Sequence, residues 1–192
     1  MRCSLFVVLL ALAACPAETV MPGDQDLGTY RFDAEPLELD CLVDGVAGDG
    51  FSFDGTFSRD TVTNEAWYRL NNVVREASFD GQVARATYAA PRSFASQCDG
   101  CTTELRESIA VAILSKSQND AAGDGCPEGA LDGGLPLGGG VTPPGPVASG
   151  YDALRACGEL VDEIVATPID GTSCSAECGA CRLRYRLKGA RR

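Results

Sequence analysis

The chain reads as a mainly β protein: an antiparallel meander closing into a barrel or a sandwich, rich in disulfides, with one short helix near the C-terminus. Three observations carry that expectation. Apolar and polar residues alternate with a period of two from Gly28 to Ala90, as in strands with one buried face. Tight turns separate the alternating runs at short intervals, so that strands adjacent in sequence can pair in space. Of ten cysteines, eight lie beyond residue 40: Cys41, Cys98, Cys101, Cys126, Cys157, Cys174, Cys178 and Cys181. An even set of that size reads as a disulfide framework whose pairing the sequence leaves open.

In the first strand, Tyr30, Phe32 and Ala34 face one way and Thr29, Arg31, Asp33 and Glu35 the other. Pro36 then shifts the phase, and Leu37, Leu39 and Cys41 alternate with Glu38 and Asp40. Proline gives no N–H to a ladder, so a bulge or an edge strand is expected there. Gly45 to Gly50 make a turn, after which Phe51, Phe53 and Phe57 alternate, with Gly55 where the strand can bend. Thr61 to Glu65 form a second turn, and Ala66, Tyr68 and Leu70 share the next face. Asn71-Asn72 turns the chain into Val73 to Phe79. Asp80-Gly81 is the strongest local signal, because both residues tolerate the positive φ of a two-residue type I′ hairpin. The return strand runs from Gln82 to Ala90 and stops at Pro91.

Thr102 to Ser117 fits two periods. Leu105, Ile109, Val111 and Ile113 suit a strand, while Leu105, Ile109, Ala112 and Ile113 suit a helix. Its β-branched content tips the reading to strand. Residues 123–150 are a Gly/Pro-rich break whose composition buries little apolar area, and a mobile excursion is expected. Beyond it, Ser149 can cap the expected helix, with Leu154, Cys157, Val161, Ile164 and Val165 on one face; Gly158 weakens it by about 1 kcal/mol. The chain ends in strict alternation from Arg182 to Lys188, the last strand.

The N-terminus carries an address. Met1-Arg2 precedes an apolar run from Leu5 to Leu12, too short for the roughly 20 residues that span a bilayer. The run closes on Leu12-Ala13-Ala14-Cys15, which resembles the lipobox of bacterial lipoproteins. That resemblance covers residues 1–15 and implies cleavage before Cys15, then acylation of its sulfur and its new amino group. Residues 1–14 are thus expected as a lipoprotein signal peptide and 15–27 as lipid anchor and flexible tether. Residues 28–192 form a single β-rich domain. The absence of Asp after Cys15, where Pro16 stands, points by the same resemblance to the outer membrane of a bacterial envelope. The strand opened by Gly28-Thr29-Tyr30, followed by a meander, is loosely similar to lipocalin-like barrels; that likeness is architectural and implies no ligand residues.

Charge is distributed unevenly. Six basic residues crowd the last eleven positions, whereas from Cys15 to Cys181 nine basic groups face 27 acidic ones, a balance of −18. Such a body repels nucleic acid. The chain has no histidine, which removes imidazole bases and most catalytic zinc sites. The scattered carboxylates single out no catalytic pair, and the Asp-Gly stretches lack the EF-hand spacing. No catalytic residue, metal or cofactor is expected.

Cys98-Asp99-Gly100-Cys101 admits three readings: a structural staple, which is favoured, a thiol–disulfide exchange pair, or half of a zinc site. The clustered Cys174, Cys178 and Cys181 suit bonds to distant partners. Arg182, Arg184, Arg186 and Lys188 share one strand face. They can hold glycolipid phosphates or an acidic protein partner, or pair internally with Glu38 and Asp40 if the last strand meets the first. Internal pairing is favoured. The function these features imply is a non-enzymatic envelope lipoprotein that binds a partner or small ligand or serves a structural role.

Overall fold

The computed structural model describes residues 20–40, 49–92, 98, 100–115, 131, 153–175, 178 and 181–192. Eight strands follow one another around a closed barrel: β1 Gln25–Asp40, β2 Phe51–Arg59, β3 Glu65–Leu70, β4 Val73–Phe79, β5 Val83–Pro91, β6 Cys101–Ser115, β7 Ala153–Pro168 and β8 Cys181–Arg191. Each pairs antiparallel with the next, and β8 returns to β1 from Tyr30↔Arg191 to Asp40↔Arg182. Asp40, Leu70, Pro91 and Pro168 end strands at what is termed the upper end. Arg59, Phe79 and Ser115 end them at the lower end, where β1 begins.

The alternating residues fill the barrel. Tyr30, Phe32, Phe57, Tyr68, Tyr185 and Leu187 are fully or almost fully buried. Phe32 occupies the middle, its ring 5.2 Å from that of Phe53. Two glycines make room for it: a Cβ on Gly189 would lie 2.6 Å from Phe32 Cε1, and one on Gly55 would lie 3.0 Å from both Phe32 and Tyr68. Gly55 therefore serves ring packing in a paired strand. Pro36 does shift the phase, as the β1–β8 register slips between Pro36 and Glu38. Beyond the slip Leu37 and Leu39 are exposed.

Three expectations need correction. The helix expected after Ser149 is strand β7, and among the described residues there is no α-helix. The apolar set Leu154, Cys157, Val161, Ile164 and Val165 matched a helical stripe, but Leu154 is exposed, while Ala156, Gly158, Leu160 and Ile164 are buried with a period of two. A Cβ on Gly158 would overlap the Ala110 carbonyl of β6, so glycine here permits close strand approach. The type I′ turn falls at Asn71 (φ 48°) and Asn72 (φ 65°), between the paired Leu70 and Val73. Asp80 has no positive φ; its Oδ1 instead accepts from the amides of Gln82 at 3.0 Å and Val83 at 2.7 Å. The wall begins at Gln25, with Leu27 fully buried, so residues 25–27 are strand rather than tether. The mobile excursion expected over residues 123–150 lies outside the described residues apart from Leu131, which packs on the outer face of β5–β7 beside Val83, Ala112, Leu114 and Cys157. Its carbonyl accepts from Arg85 Nη2 at 3.0 Å. The ambiguous stretch after Cys101 is strand β6.

Candidate functional site

Two disulfides with both partners among the described residues clasp the upper end. Cys98 bonds Cys178 and Cys101 bonds Cys174, so the segment before β6 is tied twice to the segment between β7 and β8. Cys98 and Cys101 are thus bridged to other cysteines and not to each other. Cys157 and Cys181 are disulfide-bonded as well, whereas Cys15, Cys41 and Cys126 lie outside the described residues. Among the described residues no His, Cys, Asp and Glu group is placed to hold a metal ion.

The basic residues of β8 face carboxylates on both neighbouring strands. Arg184 lies 3.1 Å from Glu159 of β7 and 3.7 Å from Glu38 of β1. Arg182 meets Glu163 at 3.5 Å and Lys188 meets Glu35 at 2.9 Å. Arg186 stands opposite Glu35 and Glu159 in the two ladders. Closure of the barrel brings these pairs together. Being half-exposed, each contributes less than about 1 kcal/mol.

The wall is not equally tall all round. The β2–β3 ladder spans Gly55↔Leu70 to Arg59↔Ala66, so Phe51 to Asp54 extend above the β3–β4 hairpin. On its other side the hairpin joins β5 through Ser78↔Arg85 and Phe79↔Ala84 only. The hairpin is a short flap. Beside it a half-open cleft of about 720 Å³ straddles the rim, lined on the inner side by Phe51, Phe53, Tyr68, Leu70, Leu160, Glu107 and Asp162 and on the outer side by Arg31, Asp54 and Arg69 among others. Asn71 and Asn72 sit at its rim. The size is that of a small-molecule pocket.

A polar layer lies above the apolar core, at strand positions phased inward. Register places Tyr88, Glu107 and Asp162 side by side on β5, β6 and β7, and the layer beneath them is Ala86, Ile109 and Leu160. Arg75 of β4 is ion-paired with Glu107, and both side chains are nearly buried. Its guanidinium lies 4.0 Å from the centroid of the Tyr88 ring. Arg75 therefore reaches over β5 to β6, bridging the strands where the β4–β5 ladder stops.

Asp162 is the second carboxylate of this layer. Burial pushes its pKa from 3.8 to about 6; Glu107 adds to the rise and Arg75 opposes it. Burial likewise pushes the Tyr68 hydroxyl up, aided by Glu107, and raises Tyr185, aided by Asp162. Three buried atoms of the layer, Tyr68 OH, Arg75 Nε and Asp162 Oδ1, have no hydrogen-bond partner among the described residues. Unpaired buried polar atoms each cost about 1–3 kcal/mol, and two of the three residues, Tyr68 and Asp162, line the cleft, which marks it as a place for a ligand's polar groups.

Sequence reasoning did not single out this cluster. The available signal was a charge in the apolar phase of a strand: Glu107 between Leu105 and Ile109, and Asp162 between Leu160 and Ile164. A helical reading of the second stretch put Asp162 off the apolar face and hid it. No family model matches the chain, and no curated protein or solved structure matches it.

Proposed function

We propose that this is a lipid-anchored envelope protein, without enzymatic activity, whose barrel binds a small amphipathic ligand in the upper cleft. The observation that carries the ligand reading is the cleft itself: in a lining that mixes apolar and polar side chains, Tyr68 and Asp162 each have a buried polar atom without a partner among the described residues. Attachment through Cys15 rests on Leu12-Ala13-Ala14-Cys15. The outward residues of β1 and β8 support contact through an anchor, since Arg31, Asp33, Glu35 and Lys188 are charged where a membrane-spanning barrel carries an apolar band. No helix among the described residues is long and apolar enough to cross a membrane.

A thiol–disulfide exchange role for Cys98 and Cys101 has weaker support. Each sulfur is bonded elsewhere, and a strand begins at Cys101 where a helix would lower a thiol's pKa.

Two measurements test the reading. Mass spectrometry of the N-terminal peptide from membrane-purified protein should find acylated Cys15; an unmodified Cys15 removes the anchor. For the ligand, N-phenyl-1-naphthylamine, an uncharged fluorescent probe, is titrated into a chain starting at Pro16, which retains every described strand. Saturable fluorescence enhancement is expected, reduced at least tenfold in affinity by Leu70→Trp, which fills the cleft. Absence of saturable enhancement in the folded parent chain defeats the ligand reading.

A further inference from the structure

Resting on that ligand-binding reading, we propose that the cleft selects organic cations: a protonated amine paired with the Asp162 carboxylate, its apolar body against Phe51, Phe53, Leu70 and Leu160. Charge balance in the inner polar layer sets the sign of the ligand. Arg75 is committed to Glu107 and lies against the Tyr88 ring, so one cation serves two carboxylates. Asp162 Oδ1 is buried with no donor, and the Tyr68 oxygen, equally buried, has no partner among the described residues either. An anion entering this layer would join two carboxylates in a low-dielectric site, which is strongly unfavourable. A neutral ligand would leave the second carboxylate without a counter-charge. An ammonium group supplies both the charge and the donors.

The rest of the lining is mixed, with Arg31, Asp54 and Arg69 at strand positions phased to the outer side of the rim. On the inner side Phe51 is half-buried, and an aromatic ring attracts cations as well as apolar groups. The charged and titratable groups acting on Asp162 are Glu107 of β6, Arg75 of β4, Tyr68 of β3 and Tyr185 of β8. With both tyrosines neutral, the layer carries one net negative charge for the ligand to meet. Arg75 Nε, the remaining buried atom without a partner, is a donor and suits a neutral acceptor such as a hydroxyl on the same molecule.

The test uses three probes of one shape: 2-phenylethylammonium, 2-phenylethanol and 3-phenylpropanoate. Each is titrated calorimetrically into the full chain, purified in a non-ionic detergent, at pH 7.5. The ammonium should bind at least tenfold more tightly than the alcohol, and the carboxylate most weakly. Asp162→Asn should abolish the tenfold preference, whereas Glu163→Gln, on the outward side of the same strand, should keep it. A second readout covers failure of Asp162→Asn to fold: in the parent chain, carboxyl-carbon NMR should show the Asp162 pKa falling when the ammonium is added. Equal binding of alcohol and ammonium, an unmoved Asp162 titration, or a preference that survives Asp162→Asn overturns the proposal. Silence from all three probes while the naphthylamine still binds also overturns it, and leaves the ligand reading standing. Loss of naphthylamine binding as well defeats both.

Discussion

At neutral pH Asp162 ionises in a wall position flanked by Leu160 and Ile164, facing Glu107 across the ladder, and the fold bears the cost. Its folded pKa of about 6 lies above its ordinary 3.8, so the folded state holds the proton longer. Stability therefore falls as pH rises from about 4 to about 6, and the loss persists above that range. The full linkage term is about 3 kcal/mol, at 1.36 kcal/mol per pKa unit, and partial solvation of the carboxyl reduces it. Asp162→Asn should accordingly gain about 1–2 kcal/mol at pH 7.5 and nothing at pH 4, as measured by urea unfolding with the disulfides intact. An equal gain at both values would show that burial of its charge is not the cause. A costly carboxylate kept at a cleft is what a binding group looks like energetically. Its chemistry was written in the sequence, but its direction was not. An aspartate points inward or outward according to the period of its segment, and the apolar residues of 153–168 suit a helical period as well as that of a strand.

Among the elements, β1 to β5 were legible because their alternation is strict and their turns are short. The Asn71-Asn72 turn was located, though its geometry was assigned to Asp80-Gly81. A side-chain acceptor at Asp80 organises the second turn through three surrounding groups: the amides of Gln82 and Val83 and the Arg85 guanidinium. Strand β7 was illegible because a strand covered on both faces loses its alternation; Cys157 is buried on the outer side while Gly158 and Leu160 are buried on the inner. The disulfides were expected as a set, yet their pairing depends on which connections share an end of the barrel. The two described bridges are nested, closing spans of 80 and 73 residues. In the chain-entropy account the first closed loop contributes about 4 kcal/mol, and the second, closing only a short inner loop, about 2–3 kcal/mol. Replacing either pair with serine should cost about 2–3 kcal/mol in denaturant unfolding. Replacing both should cost about 2 kcal/mol more than the sum of the two, because the long loop is then released. Strict additivity would show that the bridges act through local strain instead.

For the molecule as a whole, closure of β8 onto β1 converts a row of like charges into neutral seams with Glu35, Glu38, Glu159 and Glu163. That closure was readable from charge and alternation together, whereas the choice between barrel and sandwich waited on the register. Cohesion around the circuit is uneven. The β6–β7 ladder runs unbroken from Cys101↔Pro168 to Leu114↔Arg155, while β4 and β5 share a ladder only near Phe79. Hydrogen exchange should follow this division. Amides of Val73 to Ala77 should exchange at least a hundredfold faster than those of Ile109 to Ile113, as read by mass spectrometry of native protein. Comparable protection in the two segments would mean that the flap and the tall wall open as one unit.

The two-residue turn at Asn71-Asn72 also makes rim height an adjustable quantity. The turn geometry is independent of how many paired residues lie below it, and strand residues repeat their facing every second position. Lengthening β3 and β4 by two residues each would raise the flap by about 7 Å and return every side chain to its original face. Adding one residue to each would raise it by half as much and turn the tip's outward side chains inward. The height of the opening is thus tied to strand parity, and a shallow cup could become a deep one without a change to the groups at its floor.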